Sequence, residues 1–194
     1  MVRGAEEVVL RTAIITGSTR ARSNAELLAV NAAGHLQRKG IHVDLIRLRE
    51  YRFSGCMGCR RCIEIKKCCI MDDMTKKIIP IIMKSHTIIV SSPVYFDNVT
   101  ALVKKFMDRT WCIRGFLKNK VLGAIVVGRG YGLDTAIQAI YSWGLKHEMI
   151  LCHRGARIRG YEYGDALKDE RGLRDLERLC NRLYEVANIL FSRF

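Results

Sequence analysis

Apolar runs alternate with amphipathic segments along the whole chain, and this alternation restricts the fold more than any other feature. Five runs rich in Val, Ile and Leu, at 8–16, 42–48, 86–92, 121–128 and 149–152, read as strands. Near-continuous apolar runs mark strands covered on both faces, as in parallel sheets. Segments with helical spacing lie between them at about 24–38, 73–84, 100–114 and 134–146, and a last one covers 169–194. Strands alternating with helices build βαβ units. The expected fold is α/β: an open, doubly wound parallel sheet of five strands in the order 2-1-3-4-5. At 194 residues, a single domain over 1–194 can bury its own core. Pro80 falls inside the helix expected at 73–84 and should kink or shorten it.

The connection after the second strand breaks the pattern. It runs over about 51–72 and carries GCMGCRRCIEIKKCC, with five of the eight cysteines. Cys56, Cys59 and Cys62 follow one another in C-x2-C steps, and Cys68 comes after five more residues. Buried cysteines behave as small hydrophobes and need no fixed spacing. A structural zinc site pairs two C-x2-C knuckles separated by a longer stretch, which this run lacks. The two-cluster ferredoxin pattern needs a second cysteine group and a proline after its last cysteine. MVRGAEEVVL has charges where a secretory signal would be apolar, so the expectation is a cytoplasmic chain with reduced thiols. The spacing therefore points to a [4Fe-4S] cluster on Cys56, Cys59, Cys62 and Cys68. Cys69 is the alternative to Cys68, and structural zinc or metal-free redox thiols remain rival readings.

The net charge of +14 would suit nucleic acid, but the excess of Lys and Arg is spread along the chain without a basic arm. Nucleic acid is disfavoured as a partner, and attraction of acidic partners is the expected consequence. No apolar stretch approaches the ~18–20 residues that span a bilayer, so no membrane role is expected.

In doubly wound sheets, ligands bind beyond the carboxyl ends of the strands where strand order reverses. Three loops meet that description. GSTRARSN offers Ser18, Thr19, Arg20, Ser23 and Asn24 at a helix start, which suits a phosphate. Helix capping by Ser23 or Asn24 is the plainer explanation of that loop. SPVYFDNVT brings Pro93, Val94, Tyr95, Phe96, Asp97 and Asn98 after the third strand, a mixture suited to the edge of a flat heteroaromatic ring. GRGYG contributes Gly128, Gly130, Tyr131 and Gly132 after the fourth. Neither G-x-G-x-x-G nor a Walker lysine occurs, which disfavours dinucleotides and triphosphates. A monophosphate joined to a flat ring fits best, and FMN is the expected cofactor.

These motifs resemble the iron–sulfur flavoprotein branch of the NADPH-dependent FMN reductases, of flavodoxin-like fold. GSTRARSN resembles that family's phosphate loop, and C-x2-C-x2-C-x5-C followed by Asp72, Asp73 and Met74 its cluster motif. SSPVYFDNVTALVKKFMDR resembles its flavin-ring loop, and GDALKDERGLRDLERL its closing helix. GRGYGLD departs from the GGQE form common in related reductases. The resemblance implies FMN, one [4Fe-4S] cluster and electron transfer between them. It also implies a homodimer or a homotetramer built as a dimer of dimers, with the cluster near a subunit interface.

Cys112, Cys152 and Cys180 share no spacing and read as core residues, and Trp111 and Trp143 as core or interface. Asp72 and Asp73 read as helix caps. The five histidines have no carboxylate or serine partner in any motif, so no catalytic side chain is expected. The reading is an FMN-dependent oxidoreductase in which the cofactors carry the chemistry. An acidic carrier such as ferredoxin and NAD(P)H are the candidate partners. An NAD(P)H-dependent flavin or quinone reductase with a structural metal is the alternative enzyme. A basic redox-sensing or nucleic-acid-binding module is the non-enzyme alternative.

Overall fold

The computed structural model describes residues 9–191. The expected strand start at residue 8, the helix end at 192–194 and most of the N-terminal segment read for a signal lie outside them. The chain runs β1 (Arg11–Thr16), α1 (Asn24–Gln37), β2 (His42–Arg47), α2 (Arg61–Ile65), α3 (Ile79–Lys84), β3 (Thr87–Pro93) and α4 (Ala101–Arg109). It continues through β4 (Val121–Gly128), α5 (Leu133–Lys146), β5 (Ile150–Leu151), β6 (Ala156–Arg159) and α6 (Glu170–Phe191).

All strands are parallel, in the order β2-β1-β3-β4-β5, with β6 also paired to β4. The expected order holds, and the fifth position differs. β5 pairs with the start of β4 (Val121↔Ile150), and β6 pairs with its end (Ile125↔Ala156 to Gly128↔Arg159). Two short strands therefore share one edge, and among the described residues the sheet has six strands rather than five. The break falls at Gly155, whose φ of +91° turns the chain; a Cβ there would sit 2.6 Å from Ile137 Cδ1. β6 was not expected from the sequence, although ARIR carries a strand's alternation: Ala156 and Ile158 buried, Arg157 and Arg159 more exposed.

Side chains alternate between the two faces of the sheet, and each face is covered. Ile15, Ile88, Val90 and Leu122 pack with Ile82, Phe106 and Ile140 on one side. Ile14, Ile89 and Ile125 pack with Leu28, Leu179 and Leu183 on the other. No helix among the described residues is long and apolar enough to cross a membrane.

Pro80 acts as expected. A π-helical turn, Met74–Ile78, precedes α3, and Ile79 N–H bonds to Met74 O. A proline in the first turn of α3 has no N–H to donate and crowds the carbonyl four residues back. The widened turn removes that clash. The helix expected to Arg114 ends at Arg109 and tightens into a 3-10 turn, Thr110–Ile113.

Gly17 ties the sheet to the loops above it. Its N–H bonds to Ser91 O at 2.8 Å, and Thr100 Oγ1 donates to its carbonyl at 2.7 Å. A Cβ on Gly17 would fall 1.9 Å from Val103 Cγ2. Gly17→Ala is expected to cost about 1–3 kcal/mol by overpacking. Adding Val103→Ala, which vacates that space, should recover part of the loss in urea denaturation. No recovery in the double variant would mean that the close approach is not the cause.

Candidate functional site

The loops after β1, β3, β4 and β6 enclose a cavity of about 600 Å³ at the carboxyl edge of the sheet. That is within the usual range for small-ligand sites. Of the expected residues, Arg20, Ser23, Asn24, Pro93, Val94, Tyr95, Phe96, Asp97, Gly128 and Tyr131 line it. Ser18, Thr19, Asn98, Gly130 and Gly132 do not.

The polar groups of the first loop divide their work. The Ser23 hydroxyl accepts from Glu26 N–H at 3.2 Å, so it caps α1 and keeps its own proton free to donate. Ser18 is buried, with its hydroxyl bonded to the Arg20 backbone. Asn24 spends both ends of its amide on the loop after β6: Nδ2 donates to Glu162 O, and Oδ1 accepts from Gly164 N–H, each at 2.8 Å. It is a clasp for that loop. Arg20 is left as the exposed cation of the expected set. At the end of β1, Thr16 Oγ1 is buried without a hydrogen-bond partner among the described residues.

Tyr95–Asn98 closes as a tight two-residue turn, with Tyr95 N–H to Asn98 O at 2.9 Å and the reverse bond at 3.0 Å. Phe96 and Asp97 both take positive φ, 47° and 56°, a strained state for a bulky residue. Phe96 stands fully exposed at the tip. Sequence reasoning missed Arg129, Gly160 and Tyr161, which also line the cavity. The Arg129 guanidinium lies 3.5 Å from the centre of the Tyr161 ring. The missed β6 concealed the last two residues.

The cysteine loop borders a second cavity, of about 960 Å³. Cys56, Cys59, Cys62, Cys68 and Cys69 all line it, and so do Cys112, Trp111, Trp143 and His147. The loop bends through positive φ at Gly58, Arg60 and Lys66. Cys59 Sγ lies 3.5 Å from Cys69 Sγ. Backbone donation from Arg61 and contact with Cys69 lower the Cys59 pKa, whereas burial raises that of Cys62. Among the described residues, no three His, Cys, Asp or Glu side chains form a ready metal-binding group. Six thiols lining one cavity are nevertheless a soft donor set suited to iron.

Cys112 and Cys180 are buried and Cys152 is partly so, as the core reading has them. Burial pushes the Cys112 thiol up to about 12. Trp143 is buried and Trp111 partly exposed. Asp72 does more than cap a helix. It accepts from Met74 N–H at 3.1 Å, but also from Ser54 N–H at 3.0 Å and from buried Arg109 at 2.7 Å. Its pKa falls to about 2, held there against burial by Arg109 and by Ser54 N–H. Asp73 accepts from Arg52 N–H and pairs with Lys77.

His147 has the partner that no motif revealed. The single proton of the Thr110 hydroxyl goes to Met107 O at 2.6 Å. Trp143 Nε1–H at 2.8 Å and His147 Nε2 at 2.9 Å must therefore both donate to Thr110 Oγ1. His147 thus carries a proton on Nε2, and its buried Nδ1 has no partner among the described residues.

Likenesses to known proteins bear on this architecture. The model of the NADPH-dependent FMN reductase family matches residues 10–159. An iron–sulfur flavoprotein of Methanocaldococcus jannaschii is 36% identical over 187 residues, covering 91% of this chain and 96% of that protein. Among solved structures, RosB with a bound 8-demethyl-8-formylriboflavin-5'-phosphate intermediate superimposes with a TM-score of 0.78 at 13% identity, over 95% of this chain and 81% of that one. A flavodoxin from the domain Archaea gives 0.62 at 15% identity, over 91% and 99%. These two likenesses establish a flavodoxin-like fold.

Burial, reinforced by Arg114, lowers the His147 pKa from 6.5 to about 4. The unfolded chain therefore binds a proton between these values that the folded chain refuses. The stabilisation from neutral His147 is complete above about pH 6.5 and is lost as pH falls toward 4. Between pH 7.5 and 5, the wild-type chain should lose about 2 kcal/mol more than His147→Gln, at ~1.4 kcal/mol per pKa unit. Urea denaturation at both pH values measures the difference. Equal losses would rule out a buried neutral imidazole.

Proposed function

Since this chain belongs to the NADPH-dependent FMN reductase family, in its iron–sulfur flavoprotein branch, we propose that it transfers electrons between FMN and a [4Fe-4S] cluster. Family membership indicates both FMN and an iron–sulfur cluster as cofactors and makes the chain an FMN-dependent oxidoreductase. When bound, the flavin supplies a two-electron couple and the cluster a one-electron couple.

One observation carries the reading: a single segment serves both cavities. Pro93 to Asp97 line the cavity at the carboxyl edge of the sheet, and Asn98 and Val99 line the cysteine cavity. The residues that hold the ring and those that border the cluster are thus consecutive. Arg20, the Ser23 hydroxyl and the amides at the start of α1 hold the phosphate. Tyr95, Phe96, Gly128, Arg129 and Tyr131 enclose the ring. Cys56, Cys59, Cys62 and Cys68 ligate the cluster, with Cys69 as the competitor for the fourth place.

Met57, Ile63 and Trp111 leave apolar surface on the rim of the cysteine cavity, which suits a second copy of the chain in a homodimer or homotetramer. Arg60, Arg61, Lys66 and Lys67 are exposed around the same loop and suit an acidic carrier such as ferredoxin. NAD(P)H remains the alternative donor, and NADPH oxidation by the isolated protein would favour it.

Anaerobically purified protein should show flavin and cluster absorption, with iron, sulfide and FMN in the same sample. Cys56→Ala, Cys59→Ala, Cys62→Ala and Cys68→Ala should each reduce bound iron while FMN stays. Four irons per chain in the Cys59→Ala protein would remove the cluster assignment. Four irons in the Cys68→Ala protein would move the fourth ligand to Cys69.

Arg20→Ala should weaken FMN by about ten- to a hundredfold, the value of a charge-assisted bond of about 1.5–3 kcal/mol. Riboflavin, which lacks the phosphate, should change by less than about twofold on the same basis. Flavin fluorescence titration reads both constants. Equal losses would place the phosphate elsewhere.

A further inference from the structure

Arg109, the last residue of α4, is only 1% exposed, yet it carries a full charge at the wall of the cysteine cavity. Its Nη1 donates to Ser54 O at 2.9 Å and to Asp72 Oδ2 at 2.7 Å. Its Nη2 reaches Asp72 Oδ1 at 3.0 Å, Thr75 Oγ1 at 3.1 Å, Ile70 O at 3.3 Å and Cys68 Sγ at 3.4 Å. Ser54 precedes the first cysteine of the run, and Ile70 and Asp72 follow the last. One guanidinium therefore joins both ends of the loop. Its remaining donor, Nε–H, is buried without an acceptor among the described residues.

We propose that Arg109 is a positioning residue for the cluster: it closes the cysteine loop at both ends and presents Cys68, rather than Cys69, as the fourth thiolate. The proposal rests on the cluster reading above and adds a residue from outside the cysteine motif. A buried donor without an acceptor is costly. An anionic cluster against this wall would offer acceptors to Nε–H and to the donor already aimed at Cys68. Hydrogen bonds to cluster sulfurs draw electron density from the iron and favour the reduced state. Asp72 works in the opposite direction, because its carboxylate offsets the guanidinium charge. The two partners of one ion pair should therefore move the cluster in opposite senses. A merely structural pair would not do this, since loosening the loop from either side has the same consequence.

The test uses the full chain, reconstituted anaerobically with iron and sulfide and followed by electron paramagnetic resonance during a redox titration. Wild-type protein that forms no cluster would defeat the cluster reading itself, a result distinct from failure of this proposal. R109K should keep FMN and lose the bond to Cys68. Its reduced-to-oxidised ratio at the wild-type midpoint should fall about tenfold, equivalent to about 59 mV for one electron. D72N leaves the guanidinium uncompensated, and its ratio should rise by a similar factor. C69A should retain the cluster and C68A should lose it.

Should R109K assemble no cluster, D72N/R109Q removes both charges together and leaves two amides in their place. That variant should bind FMN as the wild type does and hold less iron. Midpoints of R109K and D72N within about twofold of wild type in that ratio, shifts of the same sign, or a full cluster at the wild-type potential in D72N/R109Q would each overturn the proposal. Loss of the cluster from C69A but not from C68A would overturn it as well.

Discussion

Every strand of this sheet runs parallel to its neighbours, and parallel strands cannot be joined by a tight turn. Each connection must cross back over one face of the sheet, so both faces are covered and every strand ends at the same edge. Most of what is functional here follows from that geometry. Four connections leave the carboxyl edge beside one another, and the space between them is the cavity of about 600 Å³. The long connection after β2 leaves the same edge and becomes the cysteine loop. Neither site needs a domain of its own.

α4 joins the two sites mechanically. At its start, Thr100 bonds to the Gly17 carbonyl through its hydroxyl and to Ser92 Oγ through its N–H. At its end, Arg109 gathers Ser54, Cys68, Ile70 and Asp72. The helix has 9 residues. At 1.5 Å per residue, it spans about 13–14 Å. A buried charge pair of this kind is poor value as a source of stability, because desolvating two ions offsets most of their attraction. Breaking one by removing a single partner typically costs about 3–5 kcal/mol. Its contribution is specificity: seven acceptors around one rigid fork leave the cysteine loop few alternative closures.

Much of this was legible in the sequence. Strand order, the two cavities' principal loops and the shortened helix at Pro80 follow from apolar periodicity, Cys spacing and the missing proline N–H. β6 escaped because its four residues follow a two-residue strand with only a short break between them. Its loss hid Gly160 and Tyr161. Asn24 looked like a phosphate ligand because its type and position suit one; nothing local announced that Glu162 and Gly164 would take both ends of its amide. Arg109 sits in an ordinary amphipathic helix, and its ending in a buried position is decided by residues 34 to 55 positions away in the chain.

The sequence by itself determined the elements and the chemistry available to them. Periodicity of 2 or 3.6 is a local property, and so is a C-x2-C step, so both can be read without knowing the fold. Tertiary structure decided which of the available groups are free and which are spent. Ser18 and Asn24 are drawn into loop hydrogen bonds, Ser23 caps α1 yet keeps its own proton free, burial holds His147 neutral, and Arg109 is turned inward onto the cysteine loop. Those outcomes depend on desolvation and on partners brought in from distant parts of the chain. A buried polar group must find whatever partner the fold places beside it, and neighbours in sequence do not say which one that will be.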